Sequence, residues 1–188
     1  KKGSEEFSNG QTLDSILSFS LAIENLSYEN QSQNYDWINL ETQYSELKIE
    51  LEDIIFNYTQ QYNALSAQSK RKLPITPSEA EKIFSSSKKS FENFIVKKDE
   101  KSFLAANQSF SSLISLKKSL SNSIDSIKSS ANSTLQVAKI AVSEIKSKIE
   151  DEKIVKEMQE ELAKSEELLL NGLYADSLVK SDKIISTA

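Results

Sequence analysis

The sequence predicts an all-α protein built from long helices. Apolar residues recur in steps of three and four over most of the chain, which is the period of a helix face. The 188 residues include only three glycines and two prolines, too few for the many tight turns of an all-β fold. Hydrophobic residues make up 38% of the chain. That low fraction favours an elongated helical protein over one large globule, because a thin bundle needs less core per residue.

Composition excludes several functions. The net charge is −5 and Arg71 is the only arginine, so bidentate recognition of guanine or phosphate has almost no donor, and we expect no nucleic-acid partner. The chain has no histidine and no cysteine, which removes the usual general base, the thiolate nucleophile and the commonest transition-metal ligands. We therefore predict no enzyme activity, no cofactor and no metal. No apolar run approaches the roughly 20 residues that span a bilayer, so we expect no direct membrane insertion by this segment.

Residues 1–34 are predicted to contain a flexible start and a short helix. Residues 1–11 are polar and predicted to be flexible. Residues 12–28 have apolar side chains around most of a helix, a pattern that needs burial on several sides. The polar run Glu29–Asn34 is predicted to break this helix.

A heptad seam predicts the next helix, from about Tyr35 to Arg71. Steps of three and four continue for four repeats, and Gln61 is the single polar member. The cluster Lys70-Arg71-Lys72 would lie at the C-terminal end, where cations complement the helix dipole. The seam consists of Trp37, Leu40, Tyr44, Leu47, Leu51, Ile54, Tyr58, Gln61 and Leu65.

Local signals place the following helix at residues 77–97. Pro74 stops the preceding helix, and Thr76-Pro77-Ser78-Glu79 combines an N-cap, a proline at the first helical position and a capping-box glutamate. Asp99 is a suitable cap for the helix after it. The seam of helix 77–97 consists of Ala80, Phe84, Ser87, Phe91 and Phe94.

Residues 100–149 are predicted to form one helix about 75 Å long at 1.5 Å per residue. Apolar steps of three and four run through the whole segment, with a drift in the seam rather than a stop. The alternative is a break within Ser129–Asn132, with Ser133 and Gln136 forming a new capping box. Continuity is favoured because a true break need not preserve the heptad phase.

Two short helices, residues 152–170 and 173–187, are predicted to end the chain. Asp151 is the expected cap of the first. Asn171-Gly172 is a strong β-hairpin signal, yet the apolar spacing on both sides is helical. Gly172 is therefore predicted to end one helix in the left-handed conformation and to close an αα-hairpin.

These lengths predict two three-helix bundles that share the long central helix. The first bundle, residues 12–128, would include an N-terminal helix pair, and the second would comprise residues 129–188. Helix 12–28 would double back on helix 35–71 and leave three apolar side chains uncovered, or the long helices would curve back and bury them. Uncovered apolar patches mark interaction sites, so the candidate partner-binding residues are Phe19, Leu21 and Leu26.

Other chemically suggestive groups have simpler interpretations. The carboxylates of Glu50, Glu161 and their neighbours alternate with lysines and indicate a solvated face rather than an acid–base pair. Trp37, Tyr44, Tyr58 and Tyr62 lie on or beside the seam, which favours core packing over an aromatic ligand groove.

The architecture of Tyr35 to Ile185 resembles the spectrin-like repeats of bacterial cell-envelope and cell-division proteins of the EzrA-like septation-ring regulator family. The Lys/Ser/Ile/Asn-rich, cysteine-free composition more specifically resembles the helical N-terminal part of borrelial envelope proteins that carry a C-terminal LysM module. This resemblance implies a non-catalytic, periplasmic or outer-membrane-associated role in envelope integrity and cell division, with another envelope protein as partner. No LysM-like segment is present here, so peptidoglycan would be reached only through a module outside this chain.

The sequence also suggests an alternative function and a second structural resemblance. A surface-exposed helical lipoprotein that binds a host ligand is the alternative function. The hairpin Leu170–Leu178 resembles a tetratricopeptide helix pair, although no 34-residue repeat is visible elsewhere. Because the chain starts with Lys1-Lys2-Gly3 and not with Met, we expect it to be a processed protein or a segment of a longer one.

Overall fold

The computed structural model describes the backbone of residues 12–148 and 151–188, and the side chains of residues 36–148 and 151–188. This part of the chain contains helices and no strand, which confirms the all-α class. The predicted flexible residues 1–11 lie outside it. The helices are α1 (Thr12–Ala64), α2 (Ala67–Lys70), α3 (Pro77–Lys97), α4 (Glu100–Lys148), α5 (Glu152–Leu170) and α6 (Tyr174–Thr187).

Helix α1 corrects two predictions. It continues through Glu29–Asn34, where a break was expected. That run contains no proline or glycine, and glutamate, glutamine, asparagine and serine each cost a helix only a few tenths of a kcal/mol, or about 0.7 at most. The predicted fold-back of helix 12–28 is therefore wrong. Helix α1 also ends at Ala64 rather than Arg71, because Ser66 caps the separate turn α2 by accepting from the Ser69 N–H.

The predicted boundary before α3 is confirmed atom by atom. The Thr76 hydroxyl accepts from the Glu79 N–H at 3.3 Å, and the Glu79 carboxylate accepts from the Thr76 N–H at 2.8 Å. Both bonds of a capping box are present, with Pro77 at the start of the helix. The Glu79 carboxylate accepts from the Thr76 hydroxyl as well, at 2.8 Å, and its hydrogen bonds from the Thr76 N–H and hydroxyl lower the pKa of Glu79 below its ordinary value.

Helix α4 is continuous through Ser129–Asn132, as predicted. Its serines do not break it because several donate their hydroxyls to the carbonyl four residues earlier, as Ser123 does to Ser119 at 2.8 Å. The buried positions change phase in the middle of the helix. Three successive steps of four from Ser123 to Leu135 interrupt the alternation of three and four, which locally unwinds a supercoil. The buried apolar positions are Ala106, Leu113, Leu116, Leu120, Ile127, Ala131, Leu135, Ala138, Val142 and Ile145.

The chain divides into two compact units within α1, between Glu46 and Leu47. In the unit Leu47–Ala188, α4 packs against α3, α5 and α6. The predicted seam of α1 is buried here, with Ile55 buried where Ile54 was expected. The predicted domain division at residues 128 and 129 stays a prediction. One core cluster, between α4, α5 and α6, consists of Ala138, Val142, Ile145, Met158 and Ile184.

Three fully buried serines join α5 to α6. The Ser165 hydroxyl lies 3.1 Å from that of Ser177 and 2.8 Å from that of Ser181. Ser177 also donates to the Ser165 carbonyl at 2.8 Å. Small side chains allow the two helices to approach closely, and these hydrogen bonds satisfy the hydroxyls that the approach buries.

The corner between α5 and α6 is the helical turn that the sequence predicts at Asn171-Gly172. Gly172 has a φ of +78°. Its N–H donates to the Leu169 carbonyl at 3.2 Å, and the Leu173 N–H donates to the Leu168 carbonyl at 2.9 Å. This pair of bonds is the Schellman motif. The corner confirms an αα-hairpin and excludes the β-hairpin at this position.

Candidate protein-docking surface

An open groove runs between α1 and α3 within the unit Leu47–Ala188. Residues of both helices line it, and the Tyr58 hydroxyl donates to the Ile75 carbonyl in the loop where the chain turns back between them. The groove has a volume of about 420 Å³, and it is lined by Glu52, Ile55, Phe56, Thr59, Glu81, Phe84 and Ser85.

The floor of this groove is apolar and partly solvent-exposed. Phe56 is 68% exposed, although most large apolar side chains of the unit are buried or half-buried. Phe84 is half-buried beside it, and Ile55 is buried beneath. Ile49, two turns before Phe56 on the same helix face, is 66% exposed. The groove therefore presents an aromatic side chain that the bundle itself does not cover.

The sides of the groove are acidic. Glu52 projects from α1 and Glu81 from α3, and no lysine or arginine lines this groove. Neither glutamate forms a salt bridge with the residues whose side chains are described. Some other carboxylates pair with a lysine on a facing helix, as Glu50 does with Lys117 at 2.6 Å and Glu166 with Lys139 at 2.7 Å. The two groove glutamates are thus unneutralised charges beside exposed apolar surface.

The sequence-based candidates Phe19, Leu21 and Leu26 belong to α1, but their side chains lie outside the described residues. Their role stays a prediction. Sequence reasoning missed the α1–α3 groove. A usable signal was present, because Ile49 and Phe56 are apolar, seven residues apart and off the heptad seam of α1. Apolar residues off the seam cannot be explained by the bundle core.

The other polar clusters of the described chain form hydrogen bonds and ion pairs with one another. No buried side-chain nitrogen or oxygen there lacks a hydrogen-bond partner, and no group of three acidic residues is arranged to hold a metal ion. Glu161 accepts from Lys164 at 2.7 Å and also from Lys180. These two hydrogen bonds lower the pKa of Glu161 to about 2 and keep it ionised. Glu161 is therefore an ion-pairing carboxylate, in keeping with the interpretation of this face as solvated.

The basic cluster and the aromatic residues also have structural roles. Lys70 lies in the last turn of α2, as a dipole-complementing cation should, and donates to the Asn63 carbonyl at 3.2 Å. Its ammonium lies 5.3 Å from the Tyr62 ring centroid. Tyr58 is fully buried and Tyr44 is nearly so, whereas Trp37 and Tyr62 are half-buried. Two of the four aromatic residues are thus core residues, in keeping with the interpretation as packing groups.

No helix in the described part of the chain is long and apolar enough to cross a membrane. Comparison with known proteins finds no matching family model, no matching curated protein and no matching solved structure.

Proposed function

We propose that this chain is a non-catalytic structural or adaptor protein of the bacterial cell envelope, which supports envelope integrity and cell division by binding other proteins. One observation carries the adaptor role. The unit Leu47–Ala188 leaves Phe56 exposed in an acidic groove, although its buried polar groups are satisfied. Exposed apolar patches with polar rims are typical of protein-docking surfaces. Burying this exposed apolar surface would be favourable, and a partner protein could bury it.

The finer architecture belongs to the same proposal. We propose a spectrin-like arrangement in which α4 is shared by two three-helix bundles, the first with α1 and α3 and the second with α5 and α6. The seam of buried residues that continues along α4 supports this arrangement, as does the change of phase between Ser123 and Leu135. A continuous helix shared by both bundles would fix their relative orientation, as a scaffold requires.

The proposed location is the periplasm or the periplasmic side of the outer membrane. The absence of cysteine is compatible with an oxidising compartment, and the resemblance to helical envelope proteins points the same way. The proposed partner is another envelope protein, with no nucleic acid and no cofactor involved. Peptidoglycan would be contacted only through a module outside these residues.

The proposed location is tested on cells that produce the chain. Intact cells are treated with protease and then fractionated, with a periplasmic protein and a surface protein as controls. We expect the chain to be protected until the outer membrane is opened. Digestion in intact cells would contradict the periplasmic location and favour the surface lipoprotein that binds a host ligand.

The adaptor role is tested by affinity capture from the envelope fraction with the full chain. We expect a stoichiometric protein partner whose recovery falls when Phe56 is changed to serine, and does not fall when Ile140, another exposed apolar residue, is changed to serine. Folding of both variants is checked by circular dichroism. Recovery of no partner above background by the unmodified chain would contradict the adaptor function.

A further inference from the structure

We propose that the α1–α3 groove is a docking site for an amphipathic helix of another protein, whose apolar face is flanked by lysine or arginine. This inference rests on the proposed function and adds the chemistry of the partner. The groove combines an aromatic floor, in which Phe56 is exposed and Phe84 is half-buried, with carboxylates at Glu52 and Glu81 that form no salt bridge with the described side chains.

The shape of the groove favours a helix as the occupant. Residues of two helices form its walls, and a third helix seated between them would pack against helices as α4 already does against α3. Ile49 and Phe56 are seven residues apart on one helix, so their side chains lie about 10.5 Å apart along the axis at 1.5 Å per residue. Apolar residues at positions i, i+3 or i+4 and i+7 of an incoming helix match that separation. An aromatic anchor of this kind is typical of binding hot spots.

The charges determine the class of helix. Glu52 lies on the α1 wall and Glu81 on the α3 wall, so an incoming helix has a carboxylate on each side. A lysine or arginine beside its apolar face would neutralise each carboxylate, whereas a glutamate would be repelled. Complementary charges steer encounter and suppress wrong partners.

The net charge of the chain argues against a second copy as the occupant. The chain carries 28 acidic and 23 basic residues, for a net charge of −5. Two copies would therefore repel each other during encounter, and the partner is expected to be a different protein that presents a basic helix.

The test uses the full chain and a displayed library of amphipathic helices about 18 residues long, which is five turns. Apolar positions are constant, and the flanking positions are varied among lysine, glutamate and serine. Selection on the unmodified chain should enrich lysine over glutamate roughly tenfold at the flanking positions. The double variant Glu52→Lys with Glu81→Lys should invert that preference.

Matched variants locate the binding surface. Phe56→Ala should weaken binding of a selected helix roughly tenfold or more, as expected for an anchoring side chain. Ile140→Ala removes an apolar side chain that is 60% exposed on α4, and Glu167→Lys reverses an exposed charge on α5; neither should change binding more than about twofold. Thermal unfolding is measured for every variant, and only variants with unchanged stability are compared.

Three outcomes would overturn the proposal. They are selection without a charge preference, helices whose binding is insensitive to Phe56→Ala, and self-association of the chain that Phe56→Ala abolishes, which would identify a second copy as the occupant. The adaptor function fails separately. If the groove selects basic helices but no envelope partner is captured, the adaptor function is wrong; if a partner is captured regardless of Phe56 and the charge reversals, only the groove proposal is wrong.

Discussion

Gln61 and Gly172 are 111 residues apart in the chain, and the Gln61 amide donates to the Gly172 carbonyl at 2.8 Å. The same side chain accepts from the Ala175 N–H at 2.8 Å. Helix α6 has no N-cap hydrogen bond from its own cap residue, Leu173. Gln61 therefore caps α6 from another helix and ties α1 to the α5–α6 corner.

Changing Gln61 to leucine is expected to lower the free energy of unfolding by about 2–3 kcal/mol. The substitution preserves approximate volume but leaves the Gly172 carbonyl and the Ala175 N–H without their partner in a site where Gln61 is 3% exposed. Urea denaturation provides the measurement. Gln60→Leu, one residue away and exposed, should change stability by less than about 0.5 kcal/mol. Equal effects for both variants would show that the capping role is wrong.

Changing Gly172 to valine is expected to destabilise the protein by about 1–2 kcal/mol or more, because a β-branched residue is forced into the left-handed region. A Cβ at this position would meet no atom within 4 Å, so the expected loss comes from backbone strain rather than from a clash of the Cβ. Gly172→Asn should cost less, since asparagine tolerates this conformation. Thermal denaturation ranks the variants, and a valine variant as stable as the asparagine variant would contradict the assignment.

Tyr58 gives a prediction for alkaline pH. Burial raises the pKa of Tyr58 to about 12 from 10.0, and a hydrogen bond with Ser123 offsets only part of that rise. The folded state then holds the phenolic proton where the unfolded state releases it, so the contribution of Tyr58 to stability is full below pH 10 and is lost as pH rises from 10 to about 12.

Tyr58→Phe should remove that part of the pH dependence. It should also cost about 1 kcal/mol at neutral pH, because the Ile75 carbonyl loses its donor. Unfolding curves at several pH values between 9 and 11 are compared for the two proteins. Parallel pH dependences would show that Tyr58 titrates normally in the folded chain. Tyr62→Phe, at a half-buried tyrosine, is the control.

Changing Lys98 to glycine is expected to stabilise the protein by roughly 0.5–1 kcal/mol. Lys98 ends α3 with a φ of 47°, the one non-glycine residue of the described chain at positive φ. Glycine adopts this conformation without a Cβ clash and is the usual residue at such a helix end. Lys97→Gly, inside the last turn, should destabilise by about the same amount. Calorimetry measures the stability of both variants. A Lys98→Gly variant that is no more stable than the unmodified chain would contradict the prediction.

Most helix ends could be predicted because they depend on residues within one turn. Thr76 and Glu79 form their capping box, Asp151 accepts from the Lys153 N–H at 3.0 Å, and Gly172 adopts its left-handed conformation. The failure at Glu29–Asn34 has the same origin. A polar run alone does not break a helix, and without a proline, a glycine or a competing cap nothing local ends α1 here.

Gln61 and Phe56 could not be assigned in this way. In the sequence, Gln61 is a polar residue in an apolar seam, and Phe56 is an apolar residue off that seam, but neither pattern names the surface that the residue meets. What each does depends on the element opposite, which is the α5–α6 corner for Gln61 and the acidic wall of α3 for Phe56. Helix periodicity and caps are short-range properties that neighbouring residues encode. A capping bond across 111 residues and a groove between two helices exist only after packing has selected which surfaces meet.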